Sequence, residues 1–316
     1  MNDSNYCTSG IHFDMIDDES RTAAYCDAIE KNSSYFRGKV VADVGCGSGI
    51  LSLFAARAGA KKVYAIECTN MYKIAMEIIK DNHFEHIITV VVGEAEKIEL
   101  PEKVDIIVSE WMGYSLYFEV MLPSVLSVRD RFLKPDGYML PSNARLYLSL
   151  CEATEFRCTT VDFWDNTYGF NFSAMKKIAL QEPVIETFYR DQIIASSCTI
   201  SNINTKTCLP SCVFFKSPFE IRAYKNETMH GFVTWFDVDF ASMSFQNRLS
   251  TSPYNQETHW RQTMFPIAQP IQLNSGDILK GTFETKPHPE DGSGLVFIIT
   301  YNYNGGEEMV QHYSLK

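Results

Sequence analysis

Between Val40 and Glu67 the chain reads V-V-A-D-V-G-C-G-S-G-I-L-S-L-F-A-A-R-A-G-A-K-K-V-Y-A-I-E. Val40–Val44 is short, branched and apolar, the pattern of a buried strand. Gly45, Gly47 and Gly49 supply a turn with little side-chain bulk, and Ile50–Ala58 has the leucine, alanine and phenylalanine content of a helix that Gly59 can stop. Lys62–Ile66 reads as a second strand, with Glu67 at its C-terminal end. Strand, glycine turn, helix, strand and terminal acid make one nucleotide-binding βαβ unit. The glycine spacing is G-x-G-x-G rather than the dinucleotide G-x-G-x-x-G. Glu67 follows Gly49 by 18 residues, where a carboxylate could accept bonds from both hydroxyls of a ribose. The unit alone fits a dinucleotide, a nucleoside or S-adenosylmethionine. Asp43 beside the loop disfavours a pyrophosphate and suits a cationic or amine-bearing ligand.

At 316 residues the chain is long enough for two domains. Its formal charge of −11 argues against a broad nucleic-acid surface and favours cationic partners. The nine cysteines are scattered without a C-x-x-C pair, as expected of free thiols in a reducing compartment rather than a disulfide or zinc framework. The polar N-terminus lacks an apolar signal core, and no run of eighteen apolar residues occurs. Cytoplasm, nucleus or both are the expected locations.

In chain order, Asp17, Asp18 and Glu19 favour the start of a helix over Glu19–Asn32. Arg21, near that start, suits a salt bridge to a nearby acid or a clamp on a ligand carboxylate. Met71–Asp81 reads as a helix, and Ile87–Gly93 and Val104–Val108 as strands. Ala95 and Glu96 follow the first of these strands, at the edge where ligands of open α/β sheets collect, so Glu96 could meet an adenine amino group. Leu116–Val128 is expected as a helix carrying Glu119 and Met121, with Pro123 marking a bend, and Phe132–Gly137 as a helix end and turn. Beyond Pro141, Arg145–Leu150, Thr207–Phe215, Gly231–Phe240 and Leu295–Tyr301 alternate like strands without long helices between them. The chain therefore divides into residues 1–140, an α/β unit, and residues 141–316, a β-rich unit. Phe163–Met175, with Trp164, Tyr168, Phe170 and Phe172, is either a packed loop or an apolar arm for a second subunit.

Glu110 and Glu119 stand nine residues apart, one after a strand and one beyond a short excursion. Brought to one site, the two carboxylates could grip a guanidinium through directional, charge-assisted bonds. Trp111, Met112, Tyr114, Tyr117 and Phe118 could enclose its flat faces. His259 could relay a proton or tie its loop to an acid such as Asp18, and Trp260 could wall a substrate groove or join the core.

Val41–Gly49, S-E-W-M-G-Y-S-L-Y-F-E-V-M over Ser109–Met121, and T-H-W over Thr258–Trp260 together resemble the protein arginine methyltransferase family, especially its type I branch. The resemblance extends over nearly the whole chain. It implies a Rossmann-like domain binding S-adenosylmethionine, then a β-barrel-like substrate domain with an inserted dimerisation arm at about residues 161–180. It implies that Tyr6, His12 and Met15 form a lid over cofactor and substrate, and that Arg21 clamps the methionine carboxylate. Asp43, Gly45 and Gly47 would take the methionine side, Glu67 the ribose, and Ala95 and Glu96 the adenine. Glu110 and Glu119 would hold the substrate arginine, Asp18 and His259 would pair, and Met15, Tyr114, Met121 and Trp260 would line the substrate side. Methionines matching Met15 and Met121 limit how a methylated arginine turns, which implies monomethylarginine and then asymmetric dimethylarginine. Histones and arginine–glycine-rich RNA-binding proteins are the implied substrates, in a homodimer without direct nucleic-acid or membrane contact.

Two departures stand out. The aromatic pair that the family carries ahead of the Tyr6 position has no counterpart in Met1–Asn5, which implies a shortened lid, and Ser48 replaces a threonine while keeping its hydroxyl. The competing readings are a catalytically weak regulatory subunit and a small-molecule methyltransferase. An oxidoreductase is disfavoured because no hydride-transfer site stands out.

Overall fold

The computed structural model describes residues 9–316. Helices α1 (Ser9–Asp17), α2 (Glu19–Glu30) and α3 (Ser33–Phe36) lead into an alternating series. It runs β1 (Val40–Val44), α4 (Ile50–Arg57), β2 (Lys62–Glu67), α5 (Met71–Asp81), β3 (Ile88–Val92), β4 (Val104–Val108), α6 (Leu122–Phe132) and β5 (Leu133–Leu140). The five strands form a parallel sheet in the order β3-β2-β1-β4-β5. β1 is buried along its whole length, as a central parallel strand covered on both faces must be. The order reverses between β1 and β4, so their C-terminal ends flank an open crevice.

The remaining strands pair antiparallel. β6 (Asn143–Cys151), β7 (Val184–Glu186), β8 (Cys198–Asn204), β10 (Glu227–Phe240), β11 (Asn247–Ser250) and β12 (Gln262–Leu273) form one sheet, ordered β7-β12-β10-β6-β8 with β11 on β10. β9 (Lys216–Arg222), β13 (Ile278–Pro287), β14 (Leu295–Tyr303) and β15 (Met309–Leu315) form the other, ordered β15-β14-β13-β9. Their inner faces close into a barrel-like layer. Phe265 of the first sheet packs edge-on against Phe283, Phe297 and Tyr313 of the second, at centroid separations of 5.6, 4.9 and 5.1 Å. One apolar core runs from the parallel sheet into this barrel.

Three expectations are corrected. The helix expected over Leu116–Val128 begins only at Leu122, because Ser115, Leu116, Glu119 and Val120 all have left-handed backbones, at φ 49°, 69°, 74° and 55°. Pro123 sits in the first turn of α6, where its missing N–H costs nothing, and does not bend it. The helix end expected at Phe132 is present, but the turn expected to follow it through Gly137 is strand β5. A register irregularity opposite Val104–Ile106 absorbs its Pro135 and Gly137, and a Cβ on Gly137 would stand 2.9 Å from the Asp105 carbonyl. Thr207–Phe215 is not a strand but a turn and a short 3-10 helix at Pro210–Val213. The Cys208-Leu209-Pro210 step breaks its alternation, and proline removes a ladder donor.

Phe163–Met175 forms tight turns away from the core. Phe163, Tyr168, Phe170, Phe172 and Met175 are exposed, Tyr168 at 95%. Among the described residues no helix is long and apolar enough to cross a membrane.

Candidate active site

The crevice at the β1–β4 switch deepens into a cavity of about 460 Å³. Its walls come from the ends of β1, β2 and β3, from Glu110–Tyr114 after β4, from α1 and α2, and from His259–Trp260 of the barrel.

On one side the glycine loop bends through left-handed backbone at Gly45, Gly47 and Gly49, with φ +71°, +52° and +88°. The N–H groups of Gly45 and Cys46 both donate to the Ile66 carbonyl, at 2.9 and 3.0 Å, which fastens the loop to the end of β2. Glu67 then accepts Gly47 N–H on Oε2 at 2.9 Å and Thr69 N–H on Oε1 at 2.7 Å. A carboxylate held by two backbone donors is fixed in direction before any ligand arrives. Met121 and His12 close over the loop. A Cβ on Gly45 would meet Met121 Cε at 2.3 Å, and one on Gly47 would meet His12 Cε1 at 3.2 Å.

Asp43 lies beneath this loop, with the Ser52 hydroxyl donating to Oδ2 at 2.7 Å. Its Oδ1 is buried with no protein partner among the described residues. Burial pushes this carboxyl up to about 7, with nearby Glu67 adding repulsion, against the opposing bonds of Ser52 and the charge of Arg21. Burial drives Cys46 in the same loop well above the usual thiol range, with Asp43 and Glu67 contributing.

On the other side Glu110 follows β4 through Ser109. Ser109 N–H bonds Leu140 O at 3.0 Å, its hydroxyl bonds Val44 O at 2.8 Å, and its carbonyl accepts Tyr25 OH at 2.9 Å. So pinned, Glu110 turns inward and presents Oε2 to Arg21, whose Nε and Nη2 lie at 3.2 and 3.1 Å. Both side chains are nearly buried, at 7% and 10% exposure for Arg21 and Glu110, so the pair is held out of reach of solvent screening. Glu110 Oε1 is buried with no protein donor among the described residues. Arg21 Nη1 also donates to the Met15 carbonyl at 3.1 Å. Three of the five guanidinium N–H groups are used in this way.

The excursion to Glu119 is a tight hairpin. Gly113 N–H bonds Leu116 O at 3.0 Å, and any Cβ on Gly113 would strike the Phe118 carbonyl at 2.0 Å. Three bonds staple it to the barrel: Ser115 Oγ to Thr234 Oγ1 at 3.0 Å, Tyr117 OH to Ser201 Oγ at 2.7 Å, and Glu119 N–H to Ser293 O at 3.0 Å. Burial first, then the Glu119 carboxylate, push Tyr114 above the usual phenol range. The barrel returns its own wall. Trp260 Nε1–H donates to Met112 O at 2.8 Å, and the His259 ring lies 3.9 Å from the Trp260 ring.

Asp18, the N-cap of α2, accepts Arg21 N–H on Oδ1 at 2.9 Å. Its Oδ2 accepts both His259 N–H at 2.9 Å and His259 Nδ1 at 2.7 Å. Burial raises this carboxyl, but the bonds from His259 and Arg21 outweigh it and hold Asp18 below the usual carboxylate range.

His12, Met15, Arg21, Gly45, Gly47, Glu67, Ala95, Glu96, Glu110, Tyr114, Glu119, Met121, His259 and Trp260 thus border one cavity. Asp18 and Asp43 stand behind its wall, and Tyr6 lies outside the described residues. Glu96 reaches Ser124 through a short hydrogen bond. Sequence reasoning passed over Thr69, Ser52 and Ser293. The first two lie close in sequence to the acids that they hold. Ser293 meets Glu119 only through folding and leaves no local signal.

The comparisons agree with this architecture. Residues 142–306 match the arginine methyltransferase oligomerization subdomain, and residues 21–142 match the ribosomal protein L11 methyltransferase (PrmA) family. The chain is 42% identical over 303 residues to protein arginine N-methyltransferase 1 of Schizosaccharomyces pombe, covering 96% of this chain and 89% of that protein. Against the Caenorhabditis elegans protein of the same name identity is 40% over 304 residues, covering 95% and 87%. Among solved structures, the Trypanosoma brucei PRMT1 enzyme-prozyme heterotetrameric complex with AdoHcy superposes with a TM-score of 0.96 at 36% identity, covering 99% of this chain and 100% of that one.

Proposed function

This chain belongs to the type I protein arginine N-methyltransferases, and we propose on that premise that its cavity transfers methyl groups from S-adenosylmethionine to arginine side chains of proteins. One observation carries the site reading: among the described residues Glu110 Oε1 is buried without a protein donor, in a cavity that Glu119 also borders. A buried anionic oxygen needs a donor, and a guanidinium offers a planar set of them.

The bound cofactor supplies an electrophilic methyl group on a positively charged sulfur. The glycine loop and Glu67 suit its nucleoside, since Glu67 is already oriented by Gly47 and Thr69. Among the described residues Arg21 leaves one N–H on each terminal nitrogen uncommitted, so it can hold Glu110 and take a ligand carboxylate with the same fork. Asp43, whose Oδ1 beneath the loop has no partner among the described residues, suits an ammonium group.

Glu110 and Glu119 bind and orient the substrate guanidinium, concentrate its positive charge away from the attacking nitrogen, and fix that nitrogen toward the donor. Asp18 takes the His259 Nδ1 proton in a hydrogen bond, which leaves Nε2 as the basic nitrogen of the ring. His259 is therefore the proton acceptor in this reading, and Trp260 holds the ring in place. Met121 and Met15 crowd the site and favour the asymmetric product. We place the domain boundary between Leu140 and Pro141, where β5 ends. The arm at 161–180 pairs two copies through its exposed aromatic side chains. Histones and arginine–glycine-rich proteins are the proposed substrates, consistent with the acidic chain.

Mass spectrometry of an arginine–glycine peptide after turnover tests this reading. Asymmetric dimethylarginine should dominate, and Glu110→Gln and Glu119→Gln should abolish most of it. Symmetric product, or near-wild-type transfer by both variants, would refute it.

A further inference from the structure

Glu119 and Val120 are consecutive non-glycine residues in left-handed backbone, at φ 74° and 55°. That conformation is unfavourable for an L side chain and persists only where neighbours hold it. The N–H groups on either side of Glu119 bond inside the hairpin, Phe118 to the Tyr114 carbonyl and Val120 to the Tyr117 carbonyl, each at 3.1 Å. The Glu119 N–H instead leaves the hairpin and donates to the Ser293 carbonyl at 3.0 Å. Ser293 lies in the turn between β13 and β14, and one side chain sets its orientation there. Its N–H and its hydroxyl both donate to Asp291 Oδ1, at 2.9 and 2.7 Å. Around them, Gly294 N–H donates to the Asp291 carbonyl and His288 N–H to the Gly294 carbonyl, each at 3.1 Å, and Glu290 N–H donates to His288 Nδ1 at 3.1 Å. The turn has little room to shift, since a Cβ on Gly294 would stand 2.9 Å from both the His288 Cβ and the Leu315 carbonyl oxygen. Neither Asp291 nor Ser293 borders the cavity.

We infer that Asp291 is a positioning residue for Glu119, acting through Ser293; this rests on the reading above in which Glu119 holds the substrate guanidinium. Within one residue the direction of the N–H, together with φ, sets the direction of Cα–Cβ. Asp291 orients the Ser293 carbonyl, that carbonyl fixes the Glu119 N–H, and the Glu119 side chain is thereby aimed at the cavity. When the bond is lost, the left-handed pair relaxes and the carboxylate moves, and a displacement of ~1 Å at a reacting centre is enough to lower the rate substantially. The bonds from Ser293 hold the Asp291 carboxyl below the usual carboxylate range, so the acceptor is ionised at neutral pH.

Steady-state kinetics of the full chain on an arginine–glycine peptide at saturating S-adenosylmethionine test this. Asp291→Ala should lower kcat about tenfold. Its affinity for S-adenosylhomocysteine, measured by calorimetry, should stay within about twofold of wild type, because the nucleoside half does not use the turn. Asp291→Asn keeps an oxygen acceptor for both Ser293 donors and should restore kcat to within about threefold of wild type. In a Glu119→Gln background Asp291→Ala should cost no more than about twofold, since the group that it positions has already lost its charge. The inference is overturned by wild-type kcat in Asp291→Ala, by cofactor affinity falling in step with kcat, by no recovery in Asp291→Asn, or by an undiminished penalty in the Glu119→Gln background. Near-wild-type transfer by Glu119→Gln alone would refute the guanidinium reading and this inference with it, whereas the other outcomes, with Glu119→Gln impaired, refute the inference alone.

Discussion

The two halves of the cavity are built in different ways. The nucleoside half comes from neighbours in sequence. Gly45–Gly49, Glu67 and Thr69 belong to one βαβ unit, and their bonds join residues no more than 21 positions apart. The guanidinium half is gathered from the whole chain. Arg21 meets Glu110 across 89 residues, Trp260 meets Met112 across 148, and His259 meets Asp18 across 241. The first half can form once two parallel strands pair. The Trp260 and His259 contacts of the second exist only when the barrel is docked, so they are the part that misfolding or truncation should remove first.

The contrast is sharpest at the two glutamates. Each of Glu110→Gln and Glu119→Gln should lower methyl transfer about 100-fold or more, as removal of a preorganised charge in a closed site does. They should differ in cofactor affinity. Glu110 is tied to Arg21, the residue proposed to take the cofactor carboxylate, whereas the Glu119 backbone is tied to Ser293. Calorimetry with S-adenosylhomocysteine should show Glu119→Gln binding within about twofold of wild type and Glu110→Gln shifted further. Equal affinities in the two variants would break the distinction.

Arg21→Lys should follow, with transfer reduced about tenfold, because an ammonium cannot reproduce a fork that bonds Glu110 twice and Met15 once. If lysine restored full activity, simple charge neutralisation would explain the pair. Gly45→Ala should act chiefly on the local half. A side chain at φ +71° costs about 1 kcal/mol, and its Cβ would displace Met121. Urea unfolding should record that loss, and cofactor affinity should fall more than peptide affinity.

The smallest effect is in the pH dependence of stability, where the halves have opposite signs. Asp43 ionises near 3.8 when unfolded and at about 7 when folded. The folded state therefore holds the extra proton between those values, and this group's contribution to stability is lost as pH rises from about 4 to 7. Asp18 is held below 3.8, so its contribution is present above that value and lost as pH falls through the folded one. Urea midpoints measured across pH 3 to 8, in steps of about one unit, should flatten at the upper end in Asp43→Asn and at the lower end in Asp18→Asn. Reversed assignments would show that another group dominates each limb.

The difference between the halves also explains what could be read in advance. Val40–Val44, Lys62–Glu67 and Met71–Asp81 are legible because burial on both faces, or on one helical stripe, leaves its pattern in adjacent residues. The structure departs from the helix expected over Leu116–Val128 because Leu116, Glu119 and Met121 favour a helix locally, while the hairpin bonds to Thr234, Ser201 and Ser293 reward left-handed turns instead. Thr207–Phe215 failed for a similar reason. Its apolar content is genuine, but Arg129 ties the turn down by its carbonyls.

By itself the sequence determined the parallel sheet, the glycine loop with its acid, and the presence of two glutamates suited to a guanidinium. These depend on spacing and on hydrophobic period, which are local quantities. Tertiary structure alone decided that Arg21 grips Glu110, that Asp18 sets His259, that Glu119 stands in a strained turn, and that Asp43 keeps its proton to about pH 7. Each of those depends on which distant group arrives at a given point and on how much water is removed there.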